Sequence, residues 1–315
     1  MRFQFQIMTL VLMVGTISAS AAWAQELPPD AAVPGPPRPT LSLFQAVVLG
    51  FVEGATEYLP VSSTGHLLIV EHLMGMDADE QQKAAANSLA ICIQAGAILA
   101  VFVLYFGRIR QIVTGMLGRD ADGLRLLINL IVAFFPAAVV GLLFKDWIKE
   151  HLFGVRPVAA ALFVGGVIIL LQSLGQKKNE AEFGKDIIHM TWRDALFVGL
   201  MQCLAFWPGF SRSLATILGC RLVKVRMMAA VEFSFLLGLL TLSAATAYEG
   251  LKHGKELIAD YGVAMPLVSL VTAFVAAVVS VRFMVGALGK YGLTPFGYYR
   301  IILAIACLVW LQQSP

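Results

Sequence analysis

Six apolar runs, roughly 86–106, 124–144, 157–175, 227–249, 263–288 and 297–313, dominate the sequence. A helix needs about 20 apolar residues to cross a bilayer, and each run approaches that length. The chain is therefore expected to be an all-α polytopic membrane protein. Its composition agrees: 58% of residues are hydrophobic and 14% are charged, against roughly 45–50% and about 25% in soluble domains. Mean hydropathy is +0.79. The net charge of +3 comes from cations scattered through short connections, so no nucleic-acid partner is expected. Cys92, Cys203, Cys220 and Cys307 lie singly in apolar stretches, without metal-ligand spacing or close pairs, and read as free thiols.

Two further segments, 41–75 and 194–222, are long enough to span but are broken near their middles by Pro, Gly, Ser and charged residues. Irregular backbone at membrane depth is tolerated only where protein or a polar cavity surrounds it. Both segments are expected to form re-entrant helix-turn-helix hairpins.

The chain also repeats itself. Gly50-x-x-Glu53 through Pro60-Val-Ser62-Ser63 aligns with Gly199-x-x-Gln202 through Pro208-Gly-Phe-Ser211-Arg212, with one residue inserted after the proline. Ala133-Phe134 recurs as Ala273-Phe274, each followed by a similar Ala-Ala-Val-Val stretch. The halves, about 41–175 and 194–313, each hold one hairpin and three spans. An odd number of spans turns the second half over, which predicts an inverted-topology repeat with its site where the broken helices meet.

Residues 1–24 read as a secretory signal peptide: Arg2, an apolar stretch from Ile7 to Ala19, then Ala22-Trp23-Ala24. An uncleaved anchor helix is the alternative. Residues 25–40 carry prolines at 28, 29, 34, 36, 37 and 39 and read as an exported flexible leader, followed by the membrane domain, 41–315. With residue 25 outside, fourteen Lys and Arg fall on the cytoplasmic side and seven on the outer side, as the positive-inside rule requires.

The chemistry lies in two polar clusters. Glu53 and Glu57 stand one helical turn apart on one face. At low dielectric such a pair shares a proton or holds a divalent cation, Mg2+ or Ca2+; pairing with basic groups as structural glue is the alternative. Pro60 ends that helix, and Ser62, Ser63, Thr64 and Gly65 then offer hydroxyls and N–H groups to an anion at the start of the next. Capping alone would account for Ser62 or Thr64. His66 could act as nucleophile, as general acid or as a satisfied hydrogen-bonding histidine. In the second cluster, the fork of Arg212 matches phosphate bidentately, with Ser211, Ser213 and Thr216 as further donors. A cation clamp, hydroxyls and paired carboxylates together point to phosphoryl chemistry.

The segments EGATEYLPVSSTGH (53–66) and PGFSRSLAT (208–216), with Glu232-Phe-Ser-Phe-Leu-Leu237, resemble the signatures of the undecaprenyl-diphosphatase, or bacitracin-resistance, family over residues 41–313. The resemblance implies dephosphorylation of undecaprenyl diphosphate to the monophosphate carrier of cell-wall synthesis. The protein would lie in the bacterial inner membrane, with its site open to the periplasm. It further implies that Glu53 and Glu57 form a metal-associated acidic motif, that Ser63 is the nucleophile with His66 its rival, and that Arg212 holds the diphosphate. A homodimer is an open expectation. Leu214 replaces a usual Gly and is expected to restrict the turn that aims Arg212; Ala90 replaces a usual Glu and Leu240 a usual Pro. Arg221, Lys224 and Arg226 make the exit of the second hairpin more basic than usual. The competing reading is an inverted-repeat carrier that moves polyprenyl phosphate or another anion without hydrolysis. It needs a binding cation but not a nucleophile and base, and so leaves the paired Glu53 and Glu57 beside Ser63 and His66 unexplained.

Overall fold

A computed structural model describes residues 40–77, 80–174 and 183–313. The expected signal peptide, nearly all of the expected proline-rich leader, and Lys177 and Lys178 lie outside the described residues. The first hairpin consists of α1, Leu43–Thr56, and α2, Ser63–Leu73. Then follow α3 (Glu80–Leu104), α4 (Phe106–Met116), α5 (Ala121–Leu152) and α6 (Val155–Leu174). The second hairpin consists of α7, Trp192–Gln202, and α8, Arg212–Leu222, and leads into α9 (Met227–Tyr261), α10 (Ala264–Tyr291) and α11 (Thr294–Gln313). Among the described residues no strand forms, which agrees with an all-α polytopic membrane protein.

The repeat is visible in local chemistry. Each hairpin opens on a capping box, Ser42 with Gln45 in one and Thr191 with Asp194 in the other, which satisfies the orphan N–H groups of the first turn. Each return helix starts from a serine N-cap with positive φ, 74° at Ser62 and 79° at Ser211. Ser63 and Arg212 consequently occupy the same structural position, the first residue of the return helix.

Packing interleaves the two halves. Helix α1 lies along α10, and α7 along α5, so each hairpin leans on the second long helix of the other half. Glycine permits both contacts: a Cβ on Gly50 would overlap the Ser269 carbonyl, and one on Gly199 the Ala133 carbonyl. Helix α6 packs on α11, and α3 on α9 and α10.

Five helices are long and apolar enough to cross a membrane: Gln81–Leu104, Ala121–Phe144, Val155–Leu174, Met227–Tyr261 and Ala264–Tyr291. The sixth expected span falls in α11, whose apolar section Thr294–Trp310 is shorter. Helices α5 and α9 run for 32 and 35 residues, about 48 and 52 Å at 1.5 Å per residue, well beyond a hydrocarbon core of roughly 30 Å. The connection expected over 107–123 contains α4, whose polar and apolar residues segregate onto opposite faces.

Charged groups clamp the base of the second hairpin. Lys185 Nζ donates to Asp194 at 2.6 Å, Arg108 Nε to Glu232 at 2.7 Å, and Arg226 pairs with Asp186. Burial acts to raise the Asp186 carboxyl, but the Arg226 hydrogen bond and the Ile187 N–H prevail and hold it below the usual range. Part of the basic excess read in the sequence at this exit is thus neutralised locally.

Candidate active site

The two hairpin turns meet around Glu57. Helix α1 ends at Thr56, and Glu57 is its C-cap. One Glu57 carboxylate oxygen accepts the Ser63 hydroxyl proton, and the other accepts Arg212 Nη2 at 2.8 Å. Arg212 also donates from Nη1 to the Ser234 carbonyl at 3.0 Å, and its guanidinium lies 5.5 Å from the centroid of the Tyr58 ring. A Cβ on Gly238 would collide with this guanidinium, so that glycine is what makes room for it. The carboxylate, hydroxyl and guanidinium come from both repeats and form one buried unit.

Non-glycine residues at positive φ cost on the order of 1–3 kcal/mol each, and surrounding structure must over-determine them. Here that structure is Arg300, which is fully buried. It donates to the carbonyls of Pro60 at 3.1 Å, Gly209 at 2.8 Å and Phe210 at 3.0 Å, and to Ala161 and Leu162 of α6 at 3.2 and 3.3 Å. One guanidinium thus ties both turns to α6 and α11. Arg300 is one of the fourteen cations counted on the cytoplasmic side from the sequence, and the structure buries it instead. The available signal was its position inside the apolar run 297–313, where an ionisable residue signals a buried role.

Ser213 and Thr216, expected to bind substrate, are fully buried and hydrogen-bonded internally. Ser213 Oγ donates to the Leu59 carbonyl at 2.9 Å, which pins one tip to the other, and lies 3.0 Å from Ser211 Oγ. Thr216 Oγ1 reaches the Arg212 carbonyl at 2.9 Å and Ser234 Oγ at 2.6 Å. Ser62 Oγ caps the Gly65 N–H, and Ser211 Oγ the Leu214 N–H. These four hydroxyls shape the turns. Thr64 is exposed and faces a cavity.

Of the three roles open to His66, the structure shows the hydrogen-bonded one. Its Nδ1 lies 2.7 Å from the Ser62 carbonyl, which can only accept, so Nδ1 carries the proton. Nε2 then accepts the Tyr299 hydroxyl at 2.6 Å, with the two rings parallel within 1°. Both nitrogens are engaged, one by the Ser62 carbonyl and one by Tyr299 of α11, and Ser63 donates to Glu57 instead. Leu214 lies in the first turn of α8 and is fully buried in the core, while the positive φ angles of that turn fall at Gly209 and Ser211.

Glu53 and Glu57, expected to work as a pair, stay adjacent, and of the two only Glu57 forms an ion pair, with Arg212. Glu53 is 2% exposed, and its Oε1 has no hydrogen-bond partner. It lines a cavity of about 100 Å³ with Ser63, Thr64, Glu71, Asn87 and Gln94. Among the described residues no group of three or more His, Cys, Asp or Glu is placed to hold a metal. The cavity is nonetheless lined by oxygens of carboxylate, amide and hydroxyl groups, the donor set of a hard cation. A divalent cation fits on the Glu53 side, while both Glu57 oxygens are already engaged.

This fold and site define a polytopic membrane protein whose hydroxyl nucleophile candidate, carboxylate and guanidinium meet between two broken-helix hairpins. The chain belongs to the family of Bacitracin resistance protein BacA, whose model matches residues 46–306. It is 46% identical over 270 residues to an undecaprenyl-diphosphatase of Sorangium cellulosum, covering 85% of this chain and 86% of that protein. It is 43% identical to undecaprenyl-diphosphatases of Maridesulfovibrio salexigens and Pseudomonas paraeruginosa, covering 84% and 85% of this chain and 96% and 94% of theirs.

Proposed function

We propose that the chain hydrolyses undecaprenyl diphosphate to undecaprenyl phosphate and inorganic phosphate, which recycles the lipid carrier of cell-wall synthesis. The observation that carries this reading is the Ser63 hydroxyl donating to Glu57 while Arg212 holds the other carboxylate oxygen. The named activity of the relatives supports it. A carrier needs a cation to bind its anion, but has no use for a hydroxyl aimed at a buried carboxylate.

In the proposed reaction Ser63 Oγ attacks the terminal phosphorus as its proton passes to Glu57. The bond from that phosphorus to the bridging oxygen breaks, and undecaprenyl phosphate leaves with the electron pair. Water then attacks the phosphoserine, inorganic phosphate departs, and the proton returns to Ser63. Arg212 orients Glu57 in the substrate-free site. Helices α2 and α8 point their N-termini at the site, where N–H groups and positive dipole ends favour the phosphate charge. Ser63 and Thr64 face the cavity, whereas Arg212 lies behind Glu57 and clamps the diphosphate only if it exchanges partners when substrate enters. A bound Mg2+ or Ca2+, with Glu53 as ligand, would neutralise charge on the diphosphate oxygens.

We place the protein in the bacterial inner membrane as an inverted repeat with its site open to the periplasm. The charge bias of the connections supports this, as does the cavity, which is lined by Glu71 and Phe153 toward the expected outer ends of their elements. Purified protein given undecaprenyl diphosphate labelled in its terminal phosphate is expected to release labelled phosphate and to lose activity with a divalent-metal chelator. Ser63→Ala is expected to abolish release while retaining substrate binding. Transport of intact lipid without phosphate release would establish the carrier instead.

A further inference from the structure

We propose that Glu71 is the second carboxylate of a divalent-cation site formed with Glu53 across the polar cavity, with Asn87 and Gln94 supplying amide oxygens. Three elements converge there: Glu53 from α1, Glu71 from the last turn of α2, and Asn87 and Gln94 from α3. Asn87 and Gln94 are seven residues apart, two helical turns, and so present one face. Glu53 and Glu71 are 2% and 7% exposed, and among the described residues no Lys or Arg forms an ion pair with either. Arg212, the nearby guanidinium, is committed to Glu57.

Two unpaired buried carboxylates are costly unless something positive lies between them, and buried charges are commonly neutralised by pairing or by metal. The Glu53 oxygen without a partner marks the vacancy in the hydrogen-bond network. Every cavity-lining donor named is an oxygen, and no His or Cys lines the cavity, which selects a hard cation over a transition metal. Gln94 Oε1 accepts the Thr246 hydroxyl at 3.0 Å, a bond that orients the amide and uses one lone pair of that oxygen, leaving the other for the cation. Ala90 also lines this cavity. A carboxylate placed there would point into the same space.

The assignment of the cation to catalysis rests on the phosphatase reading, but the binding is measured without it. Ca2+ is titrated calorimetrically into the purified full chain in detergent, beside Glu71→Gln, Glu71→Gln/Ala90→Glu and Asn87→Asp. Wild type is expected to bind Ca2+, and Glu71→Gln to weaken binding by on the order of tenfold or more, with unchanged melting in the absence of Ca2+. Adding Ala90→Glu is expected to recover most of the loss, and Asn87→Asp to tighten binding. Unchanged affinity in Glu71→Gln, or a wild type that binds no divalent cation, would overturn the site. If Glu71→Gln does not fold, Asn87→Asp decides: affinity equal to or below wild type overturns the proposal. Phosphate release is assayed in parallel. Cation binding without hydrolysis would count against the phosphatase reading alone, and hydrolysis with a cation-insensitive Glu71→Gln against the site alone.

Discussion

At the scale of single residues, the site turns on which group takes the Ser63 proton. Glu57 is in position and His66 is not, because both imidazole nitrogens are engaged by Ser62 and Tyr299. Glu57→Gln keeps shape but loses the base and the ion pair. It is expected to lower kcat by on the order of a hundredfold or more, in the range of general acid–base effects. His66→Ala is expected to cost less, and to match Tyr299→Phe, since the two residues act as one unit; a phosphoenzyme trapped on His66 would reverse that assignment. Arg212→Lys retains the charge but cannot reach Glu57 and the Ser234 carbonyl with one planar fork. It is expected to lose most of kcat/KM.

At the scale of elements, the hairpin turns are held by groups distant in sequence. Arg300→Lys would leave several of the five carbonyls without a partner, at roughly 1–3 kcal/mol for each buried orphan. A lower melting temperature in detergent, with activity lost in parallel, is the expected result. Leu214→Gly is expected to destabilise: glycine in a helix costs about 1 kcal/mol relative to Ala, and truncating a buried Leu to Ala about 2–5 kcal/mol. A variant that melts like wild type would show that Leu214 contributes little to packing. Both effects arise because turns with strained backbone rely on tertiary partners and not on their own propensity.

At the scale of the whole molecule, the repeat halves interlock, with α1 on α10 and α7 on α5. The proposed inversion would place the openings of the two hairpins on opposite sides of the membrane. Thr40 and Trp192 stand just before and at the start of those hairpins, and both are exposed. On a background lacking the four native cysteines, Thr40→Cys is expected to react with an impermeant thiol reagent from the periplasm, and Trp192→Cys only after access to the cytoplasm. Labelling of both from one face would refute the inversion.

The apolar runs, the broken hairpins, the repeated motif and the grouping of Glu57, Ser63 and Arg212 at one site were legible in the sequence. Hydrophobic length and punctuation by Pro, Gly and Ser act locally, and the repeat relates residues in the same register. The partners of those side chains were not legible. Whether Ser63 faces Glu57 or His66 is decided by Arg212 and Tyr299, which hold those two groups from 155 and 233 residues away, and Ser213 and Arg300 likewise reach carbonyls 154 and up to 240 residues distant. The tertiary structure also made the two adjacent carboxylates unequal. A one-turn spacing aligns Glu53 and Glu57 on a helix, but only the arrival of Arg212 from the other half commits one to an ion pair and leaves the other facing a polar cavity.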